Sequence, residues 1–263
     1  MENLNSTISR MPRYLRPLML KLRSLKLISK IVSKLPYTPN KWPYRYDGVA
    51  SSNSHAFLEE ITFKSSYKSL VSAYGWDPGI PWRVHQVMWA AKQVRQLKGV
   101  YVECGVGRGG LMAALLTAIG DWNLGDKELY LFDTFEANMY DKNGQKKISN
   151  KPYKYYAKSF LETKNTFAKF NNVNFIVGDV FTTVKQGVCG SIAFLSIDLN
   201  QAPAEEHVMR ELYPNVAKGG VILLDDYYAA GRDRQRISME KLAMELDFNI
   251  LATPSGQGIV IKA

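Results

Sequence analysis

The chain has 263 residues, 46% of them apolar and 22% charged, with a net charge of +10. Those proportions suit a globular protein able to bury one substantial core. The charge is uneven: residues 1–46 hold ten Lys/Arg against one acid, and the rest holds 24 basic against 23 acidic residues, which argues against a nucleic-acid partner for the body.

Residues 18–35 place Leu18, Leu22, Leu25, Ile28, Val32 and Leu35 at three- and four-residue steps, with Lys and Arg opposite. That pattern predicts a basic amphipathic helix. Its stripe must bury against the body, a twin subunit in a homo-oligomer, or an anionic membrane surface; an acid-poor targeting peptide is a further reading. Pro36 stops the helix, and three prolines in residues 36–43 make 36–54 a linker or wrapping segment. Residues 1–54 are thus an extension, and 55–263 the main domain. Cys104 and Cys189 lie in or beside apolar runs, so a reducing, cytoplasmic setting without a disulfide is expected. No apolar stretch approaches the ~18 residues of a membrane span, and the N-terminus lacks a secretory h-region.

From Pro81 the pattern becomes regular. Residues 81–96 read as a helix burying Val84, Val87, Met88, Ala91 and Val94. GVYVEC is a strand and RGGLMAALLTAIG a helix; ELYLFD is the second strand, followed by a Tyr- and Lys-rich segment, 134–157. The helix KSFLETKNTFAKF, the strand NVNFIVGD, the strand SIAFLSID, the helix PAEEHVMRELY, the strand GGVILLDD and the helix RQRISMEKLAMEL follow in turn. FNILAT and GIVIKA close as a hairpin. Continuous apolar strands alternating with helices imply a mostly parallel α/β sheet with an antiparallel C-terminal hairpin.

Ligands of such sheets bind outside the carboxyl ends of the strands. Glu103, Asp133, Asp198 and Asp225 stand at four of those ends, and Asp179 just beyond another. Gly105, Gly107 and Gly110 satisfy G-x-G-x-x-G, which would serve a dinucleotide or S-adenosylmethionine. Asp133 can accept from two ribose hydroxyls. Asp179 can accept from an adenine amino group while the Val180 N–H donates, or it can simply form a turn. Glu103 can reach the cofactor's amino group or cap the next helix. Cys104, Thr134, Phe135 and Asp198 complete the expected donor-binding set.

Asp198, Asp225 and Asp226 are a different matter. Three unpaired acids in a partly dry cleft repel one another and take up protons. A divalent cation, Mg2+ by default, removes that cost; zinc is disfavoured because no His/Cys cluster has its spacing. A nicotinamide-dependent oxidoreductase has no use for such a trio, and a non-catalytic scaffold would not need it. Tyr140, Tyr153, Tyr155 and Tyr156 place sugar-packing rings in a lid over 134–157, unless that segment is only a polar insertion. Gln257, in S-G-Q-G, either reaches the substrate or sits in a plain turn.

VYVECGVGRGG, LYLFDTFE, FIVGDV, SID-x-N and GGVILLDDY together resemble, in order and spacing, the macrocin-type O-methyltransferases, over about residues 80–263. That family methylates sugar hydroxyls on macrolide and aminocoumarin antibiotics. The resemblance implies a class I methyltransferase (Rossmann-like) fold, S-adenosylmethionine as donor and Mg2+ dependence. It makes Asp198, Asp225 and Asp226 the metal ligands and Glu103, Gly105, Asp133 and Asp179 donor contacts. Two positions depart from the pattern. Leu111 stands where the family often has Ser. Asn200 stands where antibiotic-tailoring members carry an aspartate as proposed general base, and Asn cannot take a proton. Either Asp198 takes it while on the metal, or the metal acidifies the hydroxyl enough for water to serve. The acceptor expected is a sugar or other polyhydroxy compound, a glycan or glycosylated metabolite, rather than an antibiotic by default.

Overall fold

The computed structural model describes residues 44–135, 139–140, 146–147, 160–185, 188 and 190–263. The helix expected over 18–35 lies outside them, as do Tyr153, Tyr155 and Tyr156. Tyr140 lies in a two-residue strand, Met139–Tyr140, paired with Lys146–Lys147. The chain divides into two units, Met1–Arg45 with Val49–His55, and Tyr46–Gly48 with Ala56–Ala263.

Residues 44–51, inside the stretch read as a linker or wrapping segment, carry regular structure. Tyr44–Tyr46 and Val49–Ser51 form a small two-stranded sheet. Asp47 and Gly48 between them both have positive φ, 55° and 72°, the conformation that Asp-Gly hairpin turns favour.

The larger unit is built on a seven-stranded sheet. Its strands are β1 (Val100–Cys104), β2 (Leu129–Asp133), β3 (Val173–Val177), β4 (Ile192–Ile197), β5 (Val216–Leu224), β6 (Leu251–Ala252) and β7 (Gly258–Ile261). Their order across the sheet is β6-β7-β5-β4-β1-β2-β3. β1 to β5 run parallel, and β7 is antiparallel to both β5 and β6. This bears out the mixed sheet and terminal hairpin expected from sequence. β5 begins three residues before the expected Gly219, because Val216 already pairs with Ile192 and the register then shifts before Val221 meets Phe194. The two glycines sit inside the strand, at the irregularity.

The helices are α1 (Ile61–Tyr74), α2 (Pro81–Gln93), α3 (Gly110–Ile119), α4 (Phe160–Thr166), α5 (Val180–Thr183), α6 (Ala202–Leu212) and α7 (Asp233–Leu246). Val102 and Cys104 of β1 enter a core cluster with Val180, Val208, Met209, Met239 and Leu242 from α5, α6 and α7. Alternation along the strand sends Tyr101 and Glu103 to the other face, and α1 and α2 both pack on α3. All five residues expected on the buried face of α2 are buried. No sequence expectation covered α1. It buries only Phe63, Ser66 and Leu70, too narrow a stripe among Lys and Ser to stand out, and ends at Gly75 in the left-handed conformation.

β1 is the branch point of the sheet. The chain moves outward from it to β2 and β3, then returns to its other side as β4 and β5. A crevice opens at such a reversal, beyond the carboxyl ends of β1 and β4.

Candidate active site

The turn after β1 is shaped by what crowds it. Gly105 has φ of 90°, and a Cβ there would stand 1.9 Å from the Asp198 carbonyl oxygen. Any side chain would force β1 and β4 apart at the crevice. The Asp198 N–H donates to the Cys104 carbonyl at 2.8 Å, locking the two strand ends together. A Cβ on Gly110 would meet the Tyr74 ring at 2.5 Å, so the end of α1 lies directly on the start of α3.

Asp133 holds this turn from β2. One carboxylate oxygen accepts from the N–H groups of Val106 at 2.7 Å and Gly107 at 2.9 Å. The other accepts from Phe135 at 2.9 Å, which fixes Phe135 at a φ of 50°. Thr134 Oγ1 lies 3.5 Å from that same oxygen. From the far side, Thr163 donates to the Gly107 carbonyl at 2.8 Å, and Arg108 pairs with Glu162 at 2.6 Å. Thus α4 braces the loop through residues the sequence reading passed over.

Glu103 is 2% exposed. Burial, then the charges of Asp225 and Asp133, push its carboxyl well above the ordinary range, against a hydrogen bond from Ser196. Its Oε2 has no hydrogen-bond partner among the described residues. Cys104 turns its side chain into the core; only its carbonyl faces the junction. Asp179 caps α5, accepting from the Phe181 N–H at 3.0 Å, and Val180 is buried in the core cluster. The turn role foreseen for Asp179 is therefore present.

The acids of β4 and β5 meet two arginines absent from the sequence expectations. Arg83, on α2, hydrogen-bonds through Nη1 to Asp225 Oδ2, and its Nη2 lies 4.0 Å from Asp226 Oδ1. Burial opposes the charge on Arg83, but Asp225, Asp226 and Asp198 outweigh it and hold the guanidinium protonated. Gln257 Nε2 donates to Asp225 Oδ1 at 2.7 Å. Arg232 lies 3.1 Å from Asp226 Oδ2 through Nε, and hydrogen-bonds through Nη2 to the Asn200 side-chain oxygen. Asn200 in turn donates through Nδ2 to Asp198 Oδ1 at 3.0 Å. Burial, then Asp225 and Asp226, push the Asp198 carboxyl well up.

Gln257 is 1% exposed. It lies in the connection between β6 and β7, and its amide is turned onto Asp225.

The chain matches the macrocin O-methyltransferase (TylF) family over residues 82–251, well over half its length. It belongs to that family. Among solved structures, the O-methyltransferase NovP is similar at 18% identity and a TM-score of 0.60, over 80% of this chain and 100% of that one. The calicheamicin methyltransferase CalS11 is similar at 16% identity and a TM-score of 0.55, over 80% and 94%. The SAH-bound methyltransferase PaMTH1 of Podospora anserina is similar at 15% identity and a TM-score of 0.50, over 82% and 99%. At these identities the likeness is one of fold. No curated protein matches the chain. As a macrocin-type enzyme the chain is an O-methyltransferase that draws on S-adenosylmethionine, which sets aside the nicotinamide-dependent and non-catalytic alternatives.

The Mg2+ expectation meets a different arrangement. Its premise was three unpaired acids. Two guanidinium groups stand among them, and among the described residues no group of three or more His, Cys, Asp or Glu side chains is placed to hold a metal ion. Arg83 reaches both Asp225 and Asp226, so a divalent cation between those acids would lie within a few Å of a fixed positive charge and be repelled. The donor set as arranged does not fit the metal.

Proposed function

We propose that this macrocin-type enzyme moves a methyl group from S-adenosylmethionine to a hydroxyl of a sugar or other polyhydroxy acceptor. The carrying observation is the convergence of acids from four strand ends on one crevice: Asp133 holds the glycine turn after β1, and the Asp198 backbone is bonded to Cys104, the residue after Glu103. A donor site and an acceptor site therefore adjoin. The sugar class draws support from CalS11, a TDP-rhamnose 3'-O-methyltransferase.

On this reading Glu103 Oε2, buried and without a hydrogen-bond partner among the described residues, takes the amino group of the donor. Asp133 Oδ2 is filled by the Val106 and Gly107 N–H groups, so the lone pair left on Oδ1 beside the Phe135 N–H takes a ribose hydroxyl. Gly105, Gly107 and Gly110 let the backbone pass close, and Thr134, Phe135, Asp179 and Val180 border the adenosine. Cys104 contributes backbone alone. The methyl carbon then travels in line: its bond to sulfur breaks with the pair left on sulfur, and a bond to the acceptor oxygen forms. Positioning supplies much of the rate. The hydroxyl proton passes to Asp198, which stands at the junction with the glycine turn; a raised pKa makes its carboxylate a stronger base than an ordinary aspartate. Asn200 orients Asp198 through its amide and does not act as a base. No step is routed through a metal.

Calorimetry with S-adenosylhomocysteine, followed by transfer of labelled methyl into nucleotide sugars, tests the reading. Absence of S-adenosylhomocysteine binding to the full chain would defeat it.

A further inference from the structure

The place where the family resemblance puts a metal is the place where this chain puts a side-chain cation. Arg83 comes from the first turn of α2, behind Pro81, and crosses 142 positions of sequence to reach Asp225. Its guanidinium meets Asp225 Oδ2 and faces Asp226 Oδ1 at 4.0 Å. The remaining oxygen of Asp225 accepts from Gln257 at 2.7 Å, and the remaining oxygen of Asp226 lies 3.1 Å from Arg232 Nε. Asp198 is tied to Asn200 at 3.0 Å, and Asn200 to Arg232 through both its side-chain oxygen and its carbonyl. A metal would draw three carboxylates toward one point. Here the carboxylates are engaged by side-chain donors instead: Arg83 is shared by Asp225 and Asp226, Gln257 is on Asp225, Arg232 on Asp226 and Asn200 on Asp198.

Two further features fit this arrangement. The position that would carry a base beside a metal is Asn200, and the structure uses it as the bridge from Arg232 to Asp198. Arg83 Nε and Gln257 Oε1 are buried without hydrogen-bond partners among the described residues, and the side-chain hydrogen bonds that both residues do make go to Asp225.

We propose that Arg83, seconded by Arg232, takes over the electrostatic role of the divalent cation in this chain, and that methyl transfer here needs no metal. The proposal rests on the O-methyltransferase reading of the same crevice. A sulfonium donor brings its own positive charge, so the acceptor oxygen needs only a preoriented cation nearby as its proton leaves for Asp198. A buried guanidinium supplies that without reorganising. Without a metal for neighbouring hydroxyls to chelate, acceptor choice falls to the shape of the crevice.

The test uses the full chain saturated with S-adenosylhomocysteine and titrated with Mn2+, read by electron paramagnetic resonance. The expected result is no stoichiometric uptake at millimolar Mn2+. Arg83→Met, which frees Asp225 and Asp226, should gain affinity for Mn2+ by at least roughly tenfold while keeping its S-adenosylhomocysteine affinity. Arg83→Gln is the second variant, with the same expectation, should the first not fold. Stoichiometric Mn2+ binding by the wild type would overturn the inference. Failure of a folded, S-adenosylhomocysteine-binding Arg83 variant to gain affinity would also overturn it. Loss of S-adenosylhomocysteine binding in the wild type would instead strike at the methyltransferase site itself, so the two failures are distinguishable.

Discussion

Asp133 has two tasks at once. It ties the glycine turn through Val106 and Gly107 and fixes Phe135, and the lone pair left on Oδ1 faces the ribose in the proposed site. Asp133→Ala should therefore weaken S-adenosylhomocysteine binding at least ~tenfold, since charge-assisted bonds contribute roughly 1.5–3 kcal/mol each; unchanged affinity in a folded variant would remove Asp133 from the donor site. Asp133→Asn, which retains an acceptor for the turn, should lose less. Glu205 offers a second test at this scale. It is 5% exposed, and burial, then Asp226, push its carboxyl up to about 8, against Arg232 and a hydrogen bond from the Gln201 backbone. The folded protein thus holds a proton that the unfolded chain releases near 4.5. Stability from this group is full below about 4.5 and falls as pH rises through about 8. Glu205→Gln should match the wild type near pH 4.5 and melt a few degrees higher above pH 8, as scanning calorimetry can show. A constant difference across that range would refute the shift. The strand-end acids were legible in the sequence because a charge closing an apolar run is conspicuous. Arg83 was not, because its partner lies on the last parallel strand and nothing in PWRVH announces a pairing so remote.

Elements α1 and α4 carry information that periodicity did not. The glycine turn is clamped between them, Tyr74 of α1 resting on Gly110 and Thr163 of α4 holding the Gly107 carbonyl. A methyl group at Gly110 must displace a ring held partly by its contact with Trp76, at 5.3 Å between centroids. Gly110→Ala should lower stability by about 1–3 kcal/mol, the usual range for overpacking, and Tyr74→Ala should restore much of it in the double variant. Urea melts of the four proteins give the coupling; simple additivity would mean that the two residues do not meet in solution. The alternation of strands and helices from Val100 to Leu246 was legible because each strand is apolar throughout and each helix shows its stripe. α1 was hidden by three buried residues in fourteen, and the Asp-Gly hairpin by the prolines just before it. In both cases tertiary packing, rather than a local pattern, decides the element.

On the scale of the molecule the charge is the open feature. The basic residues of 1–46 lie almost wholly outside the described ones, while the remainder is near neutral. No helix among the described residues is long and apolar enough to cross a membrane. Any attraction to an anionic surface should therefore come from the arm. Full-length protein should co-sediment with phosphatidylglycerol vesicles at low salt and leave them at high salt, whereas a form lacking residues 1–43 should stay in the supernatant and bind S-adenosylhomocysteine with unchanged affinity. If the full-length protein ignores the vesicles, docking on its own body or on a second copy becomes the arm's task.

Gln257 reaches Asp225 across 32 positions, from the start of β7 to the end of β5. During synthesis the glycine turn, Asp133 and both arginines leave the ribosome before that glutamine does. A nascent chain can thus assemble its nucleoside-binding half while Asp225 still has one oxygen bare and β5 an unpaired edge. Domains commonly begin to fold from the emerged portion, so released chains truncated just before Gln257 should already be retained on an S-adenosylhomocysteine resin yet be clipped by protease near β5, a cut that disappears once β7 is added. The final antiparallel strand then acts as a completion mark: the transfer centre is set only in chains that have been translated past it.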